Sequence, residues 1–164
     1  MLQKAQIPII TKKEKKNNMP NYCNNRITFA KDVNIKPFIT ADEFGVVSLD
    51  FNKIIPMREE DIDDGANCIT AWGTKWGTVE LSGVDDENCV RELNFDTAWT
   101  PPLPVVGKLS HLLGCAITIT YYESGMCFAG EAIANNGIVK DNCVSEGVPL
   151  YAEIANSFGD EYTD

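Results

Sequence analysis

One histidine, His111, serves all 164 residues, and no two of the six cysteines stand at Cys-x-x-Cys spacing. Sequence spacing therefore supports no zinc site, and only convergence of the six cysteines in space would make one. A serine or cysteine nucleophile needs a base beside it, and a lone histidine on a leucine-rich stretch next to Ser110 supplies none with an acid partner. The phosphate-cradling glycine loop followed by lysine, the dinucleotide glycine triplet and the His-Glu-x-x-His zinc helix are all missing. No catalytic residue, metal or cofactor is assigned on this basis. No apolar run approaches the ~20 residues of a membrane helix, so no membrane partner is expected. Positive charge is scarce, with 14 Lys and Arg against 24 Asp and Glu and a net charge of −10. Residues 1–18 hold five lysines and one glutamate, which leaves −14 for residues 19–164. Such a body repels phosphate backbones over about a Debye length of ~10 Å, which argues against direct binding of nucleic acid.

What is present is an ordinary globular composition, 44% hydrophobic and 23% charged, in a chain of the right length for one domain. Residues 1–18 read as a disordered basic tail, since the short patch Ile7-Pro8-Ile9-Ile10 is followed by Lys12, Lys13, Lys15 and Lys16, whereas a secretory leader carries its positive charge before a longer apolar stretch. Residues 19–164 read as a single domain, with a cytoplasmic setting in which Cys23, Cys68, Cys89, Cys115, Cys127 and Cys143 stay reduced. Alternation over 25–31 predicts a first strand, and 46–51 a short one. Cys68, Ile69, Trp72 and Trp76 at helical spacing predict a helix over 65–76, ended by Gly77. Segments 78–84 and 88–96 alternate and are expected to form a hairpin through Asp85-Asp86-Glu87. Prolines 101, 102 and 104 open a second helix, whose buried stripe is expected to be Leu103, Val106, Leu109, Leu112 and Leu113, with Gly114 at its end. A β-branched strand follows over 116–123.

That order is strand, helix, strand, strand, helix, strand, the split βαβ of an α+β ferredoxin-like sandwich, in which an antiparallel sheet carries two helices on one face. Two elements are appended: a hairpin over 127–134 and 138–141 around Asn135-Asn136-Gly137, and a closing helix over 149–158 with Leu150, Ile154 and Phe158 in a row.

Three aromatic-glycine segments hold all three tryptophans: Trp72-Gly73-Thr74-Lys75-Trp76-Gly77, Phe95-Asp96-Thr97-Ala98-Trp99-Thr100-Pro101-Pro102 and Glu123-Ser124-Gly125-Met126-Cys127-Phe128-Ala129-Gly130. Together with Met19-Pro20-Asn21-Tyr22-Cys23-Asn24-Asn25-Arg26 and Asp50-Phe51-Asn52-Lys53-Ile54-Ile55-Pro56-Met57, they resemble proteins with the YubB-type ferredoxin-like domain. The resemblance spans most of residues 19–142. It implies the fold and a habitat on bacterial plasmids, phages and related mobile elements, and no biochemical activity. The chain departs from the family pattern at Thr100, Ser124 and Cys127, where serine, proline and glycine are usual.

Each chemical group in these segments has two readings. Trp72 and Trp76 either stack a ligand ring or pack on the sheet. Trp99 closes an end of the core. Lys75 is either solvated or paired with Asp96 or Glu123. Asp96 and Glu123, both at strand ends, are either a carboxylate pair for acid-base chemistry or turn caps. Gly125 and Gly130 allow a backbone or a ligand to come close. The expected role is a binding or regulatory protein acting on a macromolecular partner, a protein, through Trp72, Lys75, Trp76, Asp96, Trp99, Glu123, Gly125 and Phe128, with inhibition of host defence as one form. The alternative is a small enzyme using Asp96, Glu123 and Lys75. RNA recognition by analogy with other ferredoxin-like sheets ranks third.

Overall fold

A computed structural model describes residues 20–84 and 89–161. The expected tail over 1–18 and the turn at 85–87 lie outside these residues. In chain order the elements are β1 (Tyr22–Asn34), a 3-10 turn (Lys36–Phe38), β2 (Ile39–Ala41), β3 (Val47–Asp50), α1 (Phe51–Ile54), α2 (Glu59–Ile62), α3 (Gly65–Trp72) and β4 (Thr78–Glu80). Then come β5 (Cys89–Ala98), α4 (Leu103–Leu113), β6 (Ile117–Glu123), β7 (Phe128–Asn135), β8 (Ile138–Ser145) and α5 (Pro149–Ser157). The main sheet runs β5-β1-β6-β7-β8, every neighbour antiparallel, and a second sheet runs β2-β3-β4.

The two edges of β1 are taken by β5 and β6, which is the centre of a ferredoxin-like sheet. Its register then sorts the side chains by alternation. Cys23, Asn25, Ile27 and Phe29 of β1, Leu93, Phe95 and Thr97 of β5, and Ile117, Ile119 and Tyr121 of β6 are buried on one face. There they join Cys68 and Trp72 of α3 and Val105, Val106 and Leu109 of α4 in one core. On the opposite face Tyr122 and Ala129 meet Tyr151, Ile154 and Ala155 of α5 in a separate, smaller cluster. Helix α5 therefore covers only part of that face.

Several sequence expectations need correction. Helix α3 stops at Trp72 rather than at residue 76, because Gly73 turns left-handed at φ 82° and its N–H closes on Ile69 O. Trp76 is therefore off the helix. The expected hairpin of 78–84 with 88–96 does not form as a ladder. β4 is three residues long and pairs with β3, and only Ser82 N–H to Asn94 O, at 3.1 Å, ties it to β5 among the described residues. On α4 the buried side is Val105, Val106, Gly107, Leu109 and Ser110, while Leu112 is exposed. Gly107 sets that rotation: a Cβ there would meet Val139 Cγ2 of β8 at 2.8 Å. By contrast, the appended hairpin turns at Asn136 and Gly137, both at positive φ, as the Asn-Gly pair predicts.

All six cysteines are free, with Cys23, Cys68 and Cys115 buried and Cys89 and Cys143 exposed. Burial pushes the Cys23 thiol up to about 12, helped by the nearby carboxylates of Glu123 and Asp96. At pH 8 only about one molecule in ten thousand would carry that thiolate, which is the reactive form. Titration of the native protein with a chromogenic disulfide should therefore modify Cys89 and Cys143 quickly and leave Cys23 untouched until denaturant is added. Fast native labelling of Cys23, read by peptide mass mapping, would contradict this packing.

Candidate functional site

The three aromatic-glycine segments meet at one end of the main sheet, joined largely by hydroxyl-to-backbone bonds. Thr74 Oγ1 donates to Ala98 O at 2.8 Å, and Thr100 Oγ1 to Gly73 O at 2.6 Å. Thr97 Oγ1 donates to Thr100 O at 2.8 Å and receives Asn25 Nδ2 at 2.9 Å. Trp99, at φ 69° and 37% exposed, gives its backbone N–H to Asn21 O at 2.9 Å. Among the described residues no buried side-chain polar atom is left without a partner, and the bonds from Thr74, Thr100 and Asn25 run between segments, so they fasten the fold.

Within this frame the residues singled out from the sequence separate. Trp72 is 1% exposed, its Nε1–H donates to Ile55 O at 2.9 Å, and its ring stands edge-on to Phe51 at 6.3 Å. It is a core residue with no face open to a ligand. Trp76 is half-buried and stands edge-on to Tyr22, ring centroids 5.6 Å apart. Lys75 is exposed, and its aliphatic stem lies over Gly65 at the start of α3. Glu123 is 1% exposed and its carboxylate caps the next turn, accepting from Gly125 N–H at 2.9 Å and Met126 N–H at 2.7 Å. A Cβ on Gly125 would meet Asn21 Cγ at 2.9 Å, so this glycine lets the turn lie against the start of β1.

Asp96 is exposed and accepts from Asn24 Nδ2 at 2.7 Å. The register pairs Asn24 with both Asp96 and Tyr122, which puts Asp96 on the α5 side of the sheet, while Glu123 follows Tyr122 and falls on the core side. The two carboxylates are therefore on opposite faces, and Lys75 lies with neither. The geometry does not assemble Asp96, Glu123 and Lys75 in one cleft. Phe128 packs edge-on against Tyr121 at 6.1 Å and lines a shallow apolar groove with Pro101, Leu103, Pro104 and Cys143.

A cleft of about 500 Å³ does open on the part of the sheet face that α5 leaves uncovered. Its aromatic walls are Tyr22, Trp76 and Phe158, and its polar surface comes from Asn24, Thr78, Glu80, Ser82, Asn94 and Asp96. Arg26 stands behind the Phe158 wall, its guanidinium 4.9 Å from the ring centroid, bonded to Ser157 O at 3.0 Å and Asn94 Oδ1 at 3.3 Å. Of the residues expected to bind a partner, the cleft gathers Trp76 and Asp96. Sequence reasoning missed Tyr22, Asn24, Glu80 and Phe158. The strand expected over 25–31 stops short of Tyr22 and Asn24, which β1 includes, and nothing local marks Phe158, which the docking of α5 brings there.

Among the described residues no three His, Cys, Asp or Glu side chains converge to hold a metal ion. None of the helices described is long and apolar enough to cross a membrane.

Architecture and topology define an α+β protein with a ferredoxin-like domain. The family model for the ferredoxin-like domain in Api92-like proteins matches residues 71–153. The chain belongs to that family. Among solved structures it is similar to the protein api92 from Yersinia pseudotuberculosis, at 20% identity and a TM-score of 0.44, over 60% of this chain and 40% of that one. The chain thus spans less than half the length of this structural relative. No curated protein matches it.

Proposed function

We propose that the protein is a binding or regulatory module that takes a protein partner in the cleft between Trp76, Tyr22 and Phe158. One observation carries this reading: three aromatic rings and two carboxylates, Glu80 and Asp96, line one open cleft beside the part of the sheet face that α5 covers. Aromatic side chains that remain partly exposed beside polar groups are the usual anchors of interfaces. The carboxylates also disfavour a phosphate backbone, which sets RNA recognition aside. The YubB-type resemblance supports a setting inside a bacterial cell on a mobile element, where the partner is a host protein and inhibition of host defence is one outcome.

Affinity capture from a bacterial lysate tests this, using the full chain, wild type against Trp76→Ala. The variant should keep the fold, because Trp76 is only half-buried, and should lose the retained partner. Captured proteins that are identical for both would remove the cleft from consideration.

A further inference from the structure

On the reading that the cleft receives a partner, we infer that its ligand is a basic, extended peptide segment, with a lysine or arginine head group held between the aromatic walls and the carboxylates. Three features of the cleft point the same way. First, the lining brings aromatic rings from Tyr22, Trp76 and Phe158 beside negative charge from Glu80 and Asp96, and among the described residues no Lys, Arg or His lines it. A cation over an aromatic face with a carboxylate nearby is attracted by both. Second, the chain already makes this contact at the rim, where Arg26 lies over Phe158 and bonds the Ser157 carbonyl. An incoming guanidinium or ammonium would repeat that chemistry inside the cleft.

Third, the cleft is where two strand edges part. Among the described residues, beyond the Ser82 to Asn94 bond, β4 pairs only with β3, and β5 pairs only with β1. Val79 and Phe95 belong to the buried core and also line the cleft, so strands β4 and β5 themselves form part of its wall. Backbone donors and acceptors along such edges suit an extended peptide, which brings its own. A free polyamine would satisfy the carboxylates and leave these edges unmatched, and a nucleic acid would be repelled.

Fluorescence anisotropy on the full chain tests the ligand class. The probe is a labelled short peptide of alternating Lys and Thr; its counterpart alternates Glu and Thr, and spermidine serves as competitor. The Lys-Thr peptide should bind and the Glu-Thr peptide should not. Asp96→Asn with Glu80→Gln should weaken binding about tenfold, and Trp76→Ala by roughly ten- to thirtyfold, the size of a desolvated cation–π contact. Added salt should weaken the wild type more than the double carboxylate variant. Failure of the Lys-Thr peptide to bind, equal binding of the Glu-Thr peptide, or indifference to the carboxylate variant would overturn a cationic ligand. Spermidine competing at equal molar concentration would overturn a peptide. The lysate capture separates the two levels. A partner lost with Trp76→Ala but kept with the carboxylate variant refutes the basic ligand and leaves partner binding standing, whereas a partner kept with Trp76→Ala refutes both.

Discussion

Trp72→Ala should destabilise the protein by about 3–5 kcal/mol, the usual cost of emptying a buried tryptophan site. For a chain of this size that lowers the melting temperature by roughly 6–20 °C. The ring is fully buried among α1, α3 and the core face of the sheet, and its Nε1–H satisfies the Ile55 carbonyl at the end of α1. Truncation therefore leaves both a cavity and an unmatched carbonyl. The space cannot close easily, because Gly77 already lies so near the ring that a Cβ there would sit 2.8 Å from Trp72 Cη2. Trp72→Phe should recover much of the lost stability by refilling the cavity without the N–H. Trp76→Ala should cost only about 1 kcal/mol, chiefly the edge contact with Tyr22. Chemical denaturation of the three variants checks this order. A Trp72→Ala loss no larger than that of Trp76→Ala would refute the placement of Trp72 in the core.

Gly130→Ala is the second large effect, expected at about 3 kcal/mol although it adds a single methyl group. Gly130 lies opposite Tyr121 in the β6–β7 pair and opposite Cys143 in the β7–β8 pair. The Tyr121 ring folds over the glycine, and its hydroxyl donates to Asp141 Oδ1 at 2.7 Å. An added Cβ would overlap the Tyr121 hydroxyl and ring, with the Asn142 carbonyl oxygen at 2.9 Å blocking retreat. Either the ring moves and abandons Asp141, or the β7–β8 ladder shifts. Burial and the Asp141 carboxylate hold the Tyr121 phenol well above its ordinary range, so it stays a donor at every ordinary pH. Removing the hydroxyl relieves part of the collision. The double variant Gly130→Ala/Tyr121→Phe should then be less destabilised than the sum of the single changes, by about 1 kcal/mol or more. Strict additivity in a denaturation cycle would show that Gly130 is not packed against Tyr121.

These two residues also show what local pattern can and cannot read. Helical spacing grouped Trp72 with Trp76, and the grouping failed at Gly73, where a left-handed turn next to Pro101 and Pro104 ends the helix early. Two tryptophans four apart thus have different fates, one in the core and one on a cleft. The pairing of 78–84 with 88–96 was equally plausible by alternation. What overrode it was β3: period-2 alternation identifies a strand without naming its neighbour, and the 47–50 segment captured β4. For Glu123, a carboxylate at a strand end reads the same whether it faces solvent or folds back onto two backbone N–H groups. The three-dimensional turn selects the second.

By itself the sequence determined the strand and helix order of the split βαβ, the Asn-Gly hairpin, the alternation of β1 over 25–31 and the closing helix, because side-chain period and turn chemistry act over a few residues. It also determined the net negative charge. Only the tertiary structure decided which face of the sheet stays open, that Asp96 and Glu123 lie on opposite sides of it, and that Tyr22, Trp76 and Phe158 share one cleft. Those facts depend on bringing together residues as far apart as Tyr22 and Phe158, and no local propensity encodes that.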